Sequence, residues 1–315
     1  MDLDFTPEQQ ALLAALARMV DDNCAMPTEN GVVAAVKWAR GVGLECALEA
    51  GGFLDVALAE GCGALEAALL VAECGRSPLV VETAGSALIG PLLAGRSLSR
   101  PVAVARAEDL TRGVRFLDTA KTLIVLDGED AVLLRAGDLD VIPLDGPYAW
   151  PLGRLATGPD LSSGERLAGR GAELERLWRL GLALEAGAAL RAAIDFTNDY
   201  VKQRMVFGRP VGSFQAVQHR LSIDAVRAEG VRWLALKAAW SGDAADAALA
   251  ALHAQRSILQ VVYDCHQFNG ALGMTLEHAL HFWTFRLRWL VGELGGWSRQ
   301  AASAAELIWP DASAA

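Results

Sequence analysis

Paired cysteines, blocks of basic charge and long apolar runs are all missing from this 315-residue sequence. Its five cysteines are odd in number, irregularly spaced and contain no C-x-x-C pair. That excludes a disulfide framework and a cysteine-built zinc site, and the thiols read as buried groups of a reducing cytosol. Lys and Arg total 28 against 38 Asp and Glu, a formal net charge of −10, with no basic cluster. A nucleic-acid surface, which needs clustered cations to neutralise phosphates, is therefore excluded. No run of about twenty apolar residues could span a bilayer. The N-terminus has no basic segment followed by an apolar core, so neither a membrane partner nor a signal peptide is expected. The chain reads as soluble and cytoplasmic.

What is present is apolar surface. Hydrophobic residues make up 53% of the chain, which implies a large buried core or a large subunit interface, and hence oligomerisation. Thr6-Pro7-Glu8-Gln9 reads as a helix start with an N-cap, a proline in the first turn and a capping-box Gln. The pattern predicts helices over 7–21, 31–42, 63–74 and 83–93. From Pro101 the period shortens, and β-rich runs at 102–105, 114–117, 121–126, 131–134 and 139–142 predict a small antiparallel sheet, punctuated at Asp127-Gly128 and Ala136-Gly137. Helical spacing returns after Gly164, with helices expected over 172–203, 213–240, 243–269 and 276–294 and a polar, Ala-rich tail after Gly296. Residues 1–98 thus form an N-terminal helical domain, 99–163 a shortened middle β domain and 164–315 a C-terminal helical domain. The fold class is mainly α with a small middle β domain.

Residues 200–220 carry the densest chemistry. A loop with Arg204, Gly208, Arg209 and Gly212 leads into a helix whose N-cap is expected at Ser213. Guanidinium forks, glycines that admit a ligand to the backbone and free N–H groups near Phe214 and Gln215 make an anion site. The structural alternative is a helix-loop-helix corner with solvated or paired arginines. The ordered run Arg204-x-x-Phe207-Gly208-Arg209-Pro210-x-Gly212-x-Phe214-Gln215-x-x-Gln218-His219 resembles the flavin-binding signature of the acyl-CoA dehydrogenase family. The resemblance implies that Arg204, Phe207 and Gln215 reach across a subunit interface to the ADP half of an FAD held by a neighbour. A second segment, Cys265 to Phe282, is similar to the family's Gln-x-x-Gly-Gly run. It places Gln267 and Gly270 on the same ADP portion, with Ala271 in place of the second Gly and Gly273 ending the helix. Ala72 to Leu79 resembles the family's first domain, so the likeness covers nearly the whole chain. It implies an N-terminal helical domain, a β-sheet or barrel domain and a C-terminal four-helix bundle.

The departures are informative. The family's Thr-Glu-Pro-x-Ala-Gly-Ser-Asp loop and Trp-Ile-Thr-Asn strand, which contact the flavin ring and the thioester, have no counterpart here. Of the family's two locations for the catalytic base, one falls on Trp178, near Glu173 and Glu175. The other falls beside Glu293, with a one-residue shift. Glu293 is the candidate base. The structural alternatives are a solvated carboxylate at a helix end for Glu293 and an i, i+4 pair with Arg179 for Glu175. His266, His278 and His281 lack metal-site spacing, so no metal is expected. Trp233, Trp240, Trp283 and Trp289 read as packing against core or subunit faces.

This combination resembles the short subunits of heteromeric acyl-CoA dehydrogenases of bacterial steroid degradation, two unlike chains forming an α2β2 tetramer. It implies a second acyl-CoA dehydrogenase-like subunit that supplies the base, a bulky acyl-CoA substrate and electron-transfer flavoprotein as acceptor. The competing expectations are a self-sufficient homotetramer using Glu293 and a scaffold subunit without flavin.

Overall fold

A computed structural model describes residues 4–158 and 160–310. Helix α1 (Pro7–Asn23) starts as the sequence predicts: Gln9 N–H donates to Thr6 Oγ1 at 3.3 Å and Thr6 N–H to Gln9 Oε1 at 3.1 Å. The helix expected over 31–42 is absent. Asn30 and Gly31 both take left-handed φ, 51° and 81°, and make the two-residue turn of a hairpin, β1 (Thr28–Glu29) and β2 (Val32–Val33). An Asn-Gly pair before β-branched residues is a hairpin signal that outweighs helical spacing. The helix instead occupies α2 (Val42–Ala50), followed by α3 (Ala64–Gly75). The segment expected at 83–93 is a widened turn over Ala84–Ile89 that continues as α4 (Gly90–Ala94).

The middle strands form two small sheets. One has the order β3 (Val102–Arg106), β5 (Thr122–Asp127), β6 (Asp130–Arg135), β9 (Glu165–Leu167). The other runs β4 (Val114–Arg115), β8 (Leu152–Leu155), β7 (Val141–Leu144). The expectation of an all-antiparallel sheet needs correction, because β3 and β5 pair parallel from Val102↔Thr122 to Arg106↔Leu126. The chain leaves β3 for the second sheet at β4 before returning, so a crossover replaces a hairpin. Strands β8 and β9 are too short and too interrupted by Gly and Arg to show period-two alternation. Leu123, Val125, Val132 and Leu155 fill the space between the sheets, while Ile124 and Leu133 face the main core.

The remainder is α5 (Gly171–Gln203), a hairpin of β10 (Met205–Val206) and β11 (Arg209–Pro210), then α6 (Gln215–Ser241), α7 (Ala244–Asn269), α8 (His281–Leu290) and α9 (Gly296–Ile308). Helix α5 is the central rod, its residues 177–187 buried without a break. The single helix expected over 276–294 is only α8, because a turn at Leu272–Met274 and a kink at Leu294 (φ 56°) bound it. The expected polar tail is instead α9, which buries Gln300, Ser303 and Ala304 at helical spacing; residues 311–315 lie outside the described residues. Gly270, with φ 61°, ends α7 rather than Gly273.

The N-terminal helices pack directly on the C-terminal ones, α3 on α5 and α6, and polar groups tie the two together. Arg286 of α8 is buried and donates only to carbonyls, Phe282 O at 2.7 Å, Leu79 O at 3.2 Å and Ser77 O at 2.5 Å. Burial pushes its guanidinium down to about 10. Trp283 Nε1 donates to Arg76 O at 2.9 Å, and His281 Nε2 lies 2.8 Å from Val36 O.

Candidate functional site

Two regions hold the residues that the sequence singles out, and they differ in character. The first is the outer end of the bundle. Arg204 caps α5 in extended conformation, and its side chain is exposed and makes no ion pair among the described residues. Phe207 and Gly208 form the tip of the β10–β11 hairpin, both left-handed at 51° and 76°. Holding a phenylalanine in that conformation costs about 1 kcal/mol. The ring gains no burial in return, since Phe207 is 92% exposed. Arg209 stacks on Phe214, guanidinium to ring centroid 4.0 Å.

Ser213 is not the N-cap expected of it. Its hydroxyl donates to Pro210 O at 2.7 Å inside a short turn, and Phe214 takes the cap position without a side-chain hydrogen bond. The first turn of α6, where Gln215 is exposed, is thus left with uncapped N–H groups. Gln267 and Gly270 end α7 on an open groove of about 780 Å³ whose walls include Ile258, Tyr263 and Met274. Both are exposed, and a Cβ built on Gly270 would meet nothing within 4 Å. A small apolar cluster of Val201, Val217 and Leu221, joined by Phe214 and Phe268, fastens the hairpin loop to the end of α7. The two sequence segments therefore meet on one side of the bundle. Around them lie further exposed apolar side chains: Met205, Ile223, Val226, Leu259 and Tyr263.

The second region is a cavity of about 770 Å³, open to solvent on one side like the groove, walled by the turn after Glu82, strands β3 and β4, helix α5 and the loop before α9. Glu293 stands in it, but not as a solvated carboxylate. Its side chain is 7% exposed, and Oε1 accepts from Arg115 Nη2 at 3.0 Å and from Trp178 Nε1 at 2.5 Å. The two sequence positions weighed for a base, 178 and 293, are thus in direct contact. Arg115 also donates from Nη1 to Glu185 Oε2 at 2.9 Å and lies 4.4 Å above the Trp150 ring. Burial works against the Arg115 charge, but Glu185 and Glu293 together hold its pKa above the ordinary value.

Glu82, also on the cavity wall, accepts from Gly85 N at 2.7 Å, Val102 N at 3.2 Å and the Ser86 hydroxyl. Burial pushes its carboxyl up to about 7. Glu175 takes the structural part expected of it, 3.2 Å from Arg179, and adds Arg106 at 2.7 Å; Glu173 pairs with Arg170.

Sequence reasoning missed Arg115, Glu185 and Glu82. Glu185 carried a usable signal, a lone acid inside the apolar run Leu180 to Ala189, where a carboxylate is tolerated only if paired. Arg115, in a two-residue strand, carried none. His266 and His281 act as hydrogen-bond partners, His266 Nε2 lying 3.0 Å from Thr284 Oγ1, while His278 packs edge-on against Phe196 and Tyr200. Among the described residues no group of His, Cys, Asp or Glu is placed to hold a metal ion, and no helix is long and apolar enough to cross a membrane. Of the tryptophans, Trp283 is core and Trp240 is 57% exposed.

A central helical rod packed in a helical bundle, with two small sheets beside it, makes the acyl-CoA dehydrogenase fold. Residues 173–290 match the family model of the acyl-CoA dehydrogenase C-terminal domain, so this part of the chain is an acyl-CoA dehydrogenase C-terminal domain. It is 35% identical over 117 residues to the probable acyl-CoA dehydrogenase YdiO of Escherichia coli, a match covering 35% of this chain and 30% of that protein. It is 26% identical over 227 residues to acyl-CoA dehydrogenase IpdE2 of Mycolicibacterium smegmatis, covering 67% of this chain and 71% of the relative. The fold is that of a chain in the ChsE4-ChsE5 complex from Mycobacterium tuberculosis, at TM-score 0.79 and 20% identity with 100% of both chains covered. It is equally that of a chain of the Tcur3481-Tcur3483 steroid ACAD, at TM-score 0.78 and 22% identity, covering 97% and 99%.

Proposed function

We propose that this chain is one subunit of a heteromeric, FAD-dependent acyl-CoA dehydrogenase and that it completes the ADP side of a flavin site built mainly by an unlike partner. The observation that carries this reading is the contrast between the two regions. At the end of the bundle Arg204, Phe207, Gln215, Gln267 and Gly270 are all exposed, and Arg204 has no ion-pair partner among the described residues. In the cavity, Glu293 is already engaged by Arg115 and Trp178.

FAD fits the first region. Arg204 and the uncapped N–H groups of α6 suit a diphosphate, the Phe207 ring suits a flat apolar face, and Gly270 leaves room for close approach. The cavity fits the flavin ring poorly, since the loop and strand that serve it in the family are missing and charged side chains stand in the space. When bound, FAD supplies the acceptor for the hydride that leaves the acyl chain.

This chain's residues hold and orient. Arg204 neutralises diphosphate charge, Gln215 and Gln267 offer amide hydrogen bonds, and Phe207 covers the ligand from solvent. The partner supplies the base that removes the α-proton, the acyl pocket and the ring contacts. The exposed Ile223, Val226, Leu259 and Tyr263 supply apolar area for the partner to cover. The likeness to heteromeric complexes, one of them a steroid enzyme by name, supports an α2β2 assembly acting on a bulky, steroid-like acyl-CoA, with electrons passing to electron-transfer flavoprotein.

The test is the visible spectrum and native mass of the chain purified alone and co-expressed with a neighbouring acyl-CoA dehydrogenase-like chain. A colourless lone chain and a yellow, active α2β2 assembly are expected. A yellow, active homotetramer would overturn the reading.

A further inference from the structure

The buried ion cluster in the cavity has a role of its own, and its derivation deepens the proposal above, on which it rests for the location of the chemistry. Arg115 lies on strand β4, Glu185 at the middle of α5 and Glu293 in the loop that leads into α9. Their side chains are 11%, 8% and 7% exposed. One guanidinium thus joins three elements that are distant in sequence, through Nη1 to Glu185 and Nη2 to Glu293.

The loop around Glu293 is strained. Leu294 is left-handed at φ 56°, followed by Gly295 at 85° and Gly296 at 73°. A leucine persists in that conformation only where its surroundings over-determine it. They do so here by four routes. Arg115 and Trp178 hold the Glu293 carboxylate, Gln255 Nε2 donates to Glu293 O at 2.8 Å, and Gln300 Nε2 donates to Leu294 O at 2.8 Å.

We infer that Glu293 is not a base in this chain but the anionic end of a clamp, with Arg115 and Trp178, that seats the small sheets on the bundle and holds the left-handed entry to α9. With Oε1 accepting from both a guanidinium and an indole of other elements, the carboxylate is fixed in one orientation and is poorly suited to swing onto a substrate, although Oε2 makes no hydrogen bond among the described residues. The clamp also stations Trp178 across the cavity beside Glu293.

The experiment takes Glu293→Gln, Arg115→Leu and the triple variant Arg115→Leu/Glu185→Gln/Glu293→Gln in the assembled protein. It reads thermal unfolding together with turnover. Glu293→Gln should leave turnover within about twofold and lower the unfolding midpoint on the order of 5 to 10 °C, because Arg115 loses half of its counter-charge. The triple variant, with no charge left to bury, should recover most of that loss and keeps the test alive if a single variant fails to fold. Loss of turnover by a hundredfold or more in Glu293→Gln with an unchanged midpoint would overturn the inference and make Glu293 the base. If the lone chain proves active, the heteromer reading fails, and the same variant made in that active protein still decides the role of Glu293.

Discussion

The cavity and the outer end of the bundle carry similar residue types and use them in opposite ways. In the cavity Arg115, Glu185, Glu293 and Trp178 are engaged with one another at 2.5 to 3.0 Å, away from water. At the bundle end Arg204 and Phe207 are exposed, one without an ion-pair partner among the described residues and the other 92% accessible. Buried side chains paired with one another hold structure, whereas on the proposed reading a strained hairpin tip that offers a bare aromatic ring holds a place for a ligand. On that reading, the difference separates stability from binding along a single chain.

Arg115→Leu attacks the engaged side hardest. It leaves Glu185 and Glu293 buried without a cation and should cost about 3–5 kcal/mol in urea unfolding. A loss under 1 kcal/mol would mean that the clamp is not what seats the sheets.

The next effect is one of pH. Glu82 is pushed by burial to about 7, above its ordinary 4.5. The folded form therefore holds a proton that the unfolded form releases, and the resulting stability is full below pH 4.5 and lost as pH rises toward 7. The change amounts to about 3 kcal/mol. Urea midpoints measured from pH 4.5 to 8 should fall across that window, and Glu82→Gln, which cannot ionise, should flatten the curve. It should also cost the bond from Val102 N–H. A wild-type curve already flat there would show Glu82 ionised throughout.

On the unengaged side the effects fall on ligand rather than fold. Arg204→Ala should raise the FAD dissociation constant of the co-expressed assembly by roughly tenfold to a hundredfold, the loss of a charge-assisted contact, while leaving unfolding of the lone chain unchanged. Equilibrium dialysis with absorbance at the flavin band reads it. Phe207→Gly should be the smallest and the most discriminating. Relieving the left-handed strain should stabilise the lone chain by up to about 1 kcal/mol while flavin retention falls. Gain in one and loss in the other would place residue 207 on the binding side of the comparison; loss in both would return it to the structural side.

How much of this could be read from the sequence follows the same division. The capping box at Thr6 and Gln9, the rod beginning near residue 172 and the loop from Arg204 to Gln215 are local patterns and are found where spacing puts them. The hairpin at Asn30-Gly31 was legible too, since an Asn-Gly turn outranks an apolar period read through it. Helix α9 was obscured because its buried face is Gln300, Ser303 and Ala304, small and polar residues that carry little apolar signal. The parallel pairing of β3 with β5 and the joining of Arg115 to a residue 178 positions away depend on contacts that no window of sequence contains.

Arg286 gives the molecule a timetable. The carbonyls of Ser77 and Leu79, at the close of the first helical unit, find their donor in a guanidinium 209 and 207 residues downstream, and Arg76 waits equally long for Trp283. During synthesis, when N-terminal segments ordinarily settle first, these groups must stay with water until α8 leaves the ribosome. A truncated chain ending before α8 would strand them, so the turn that follows α3 is finished only by Trp283 and Arg286.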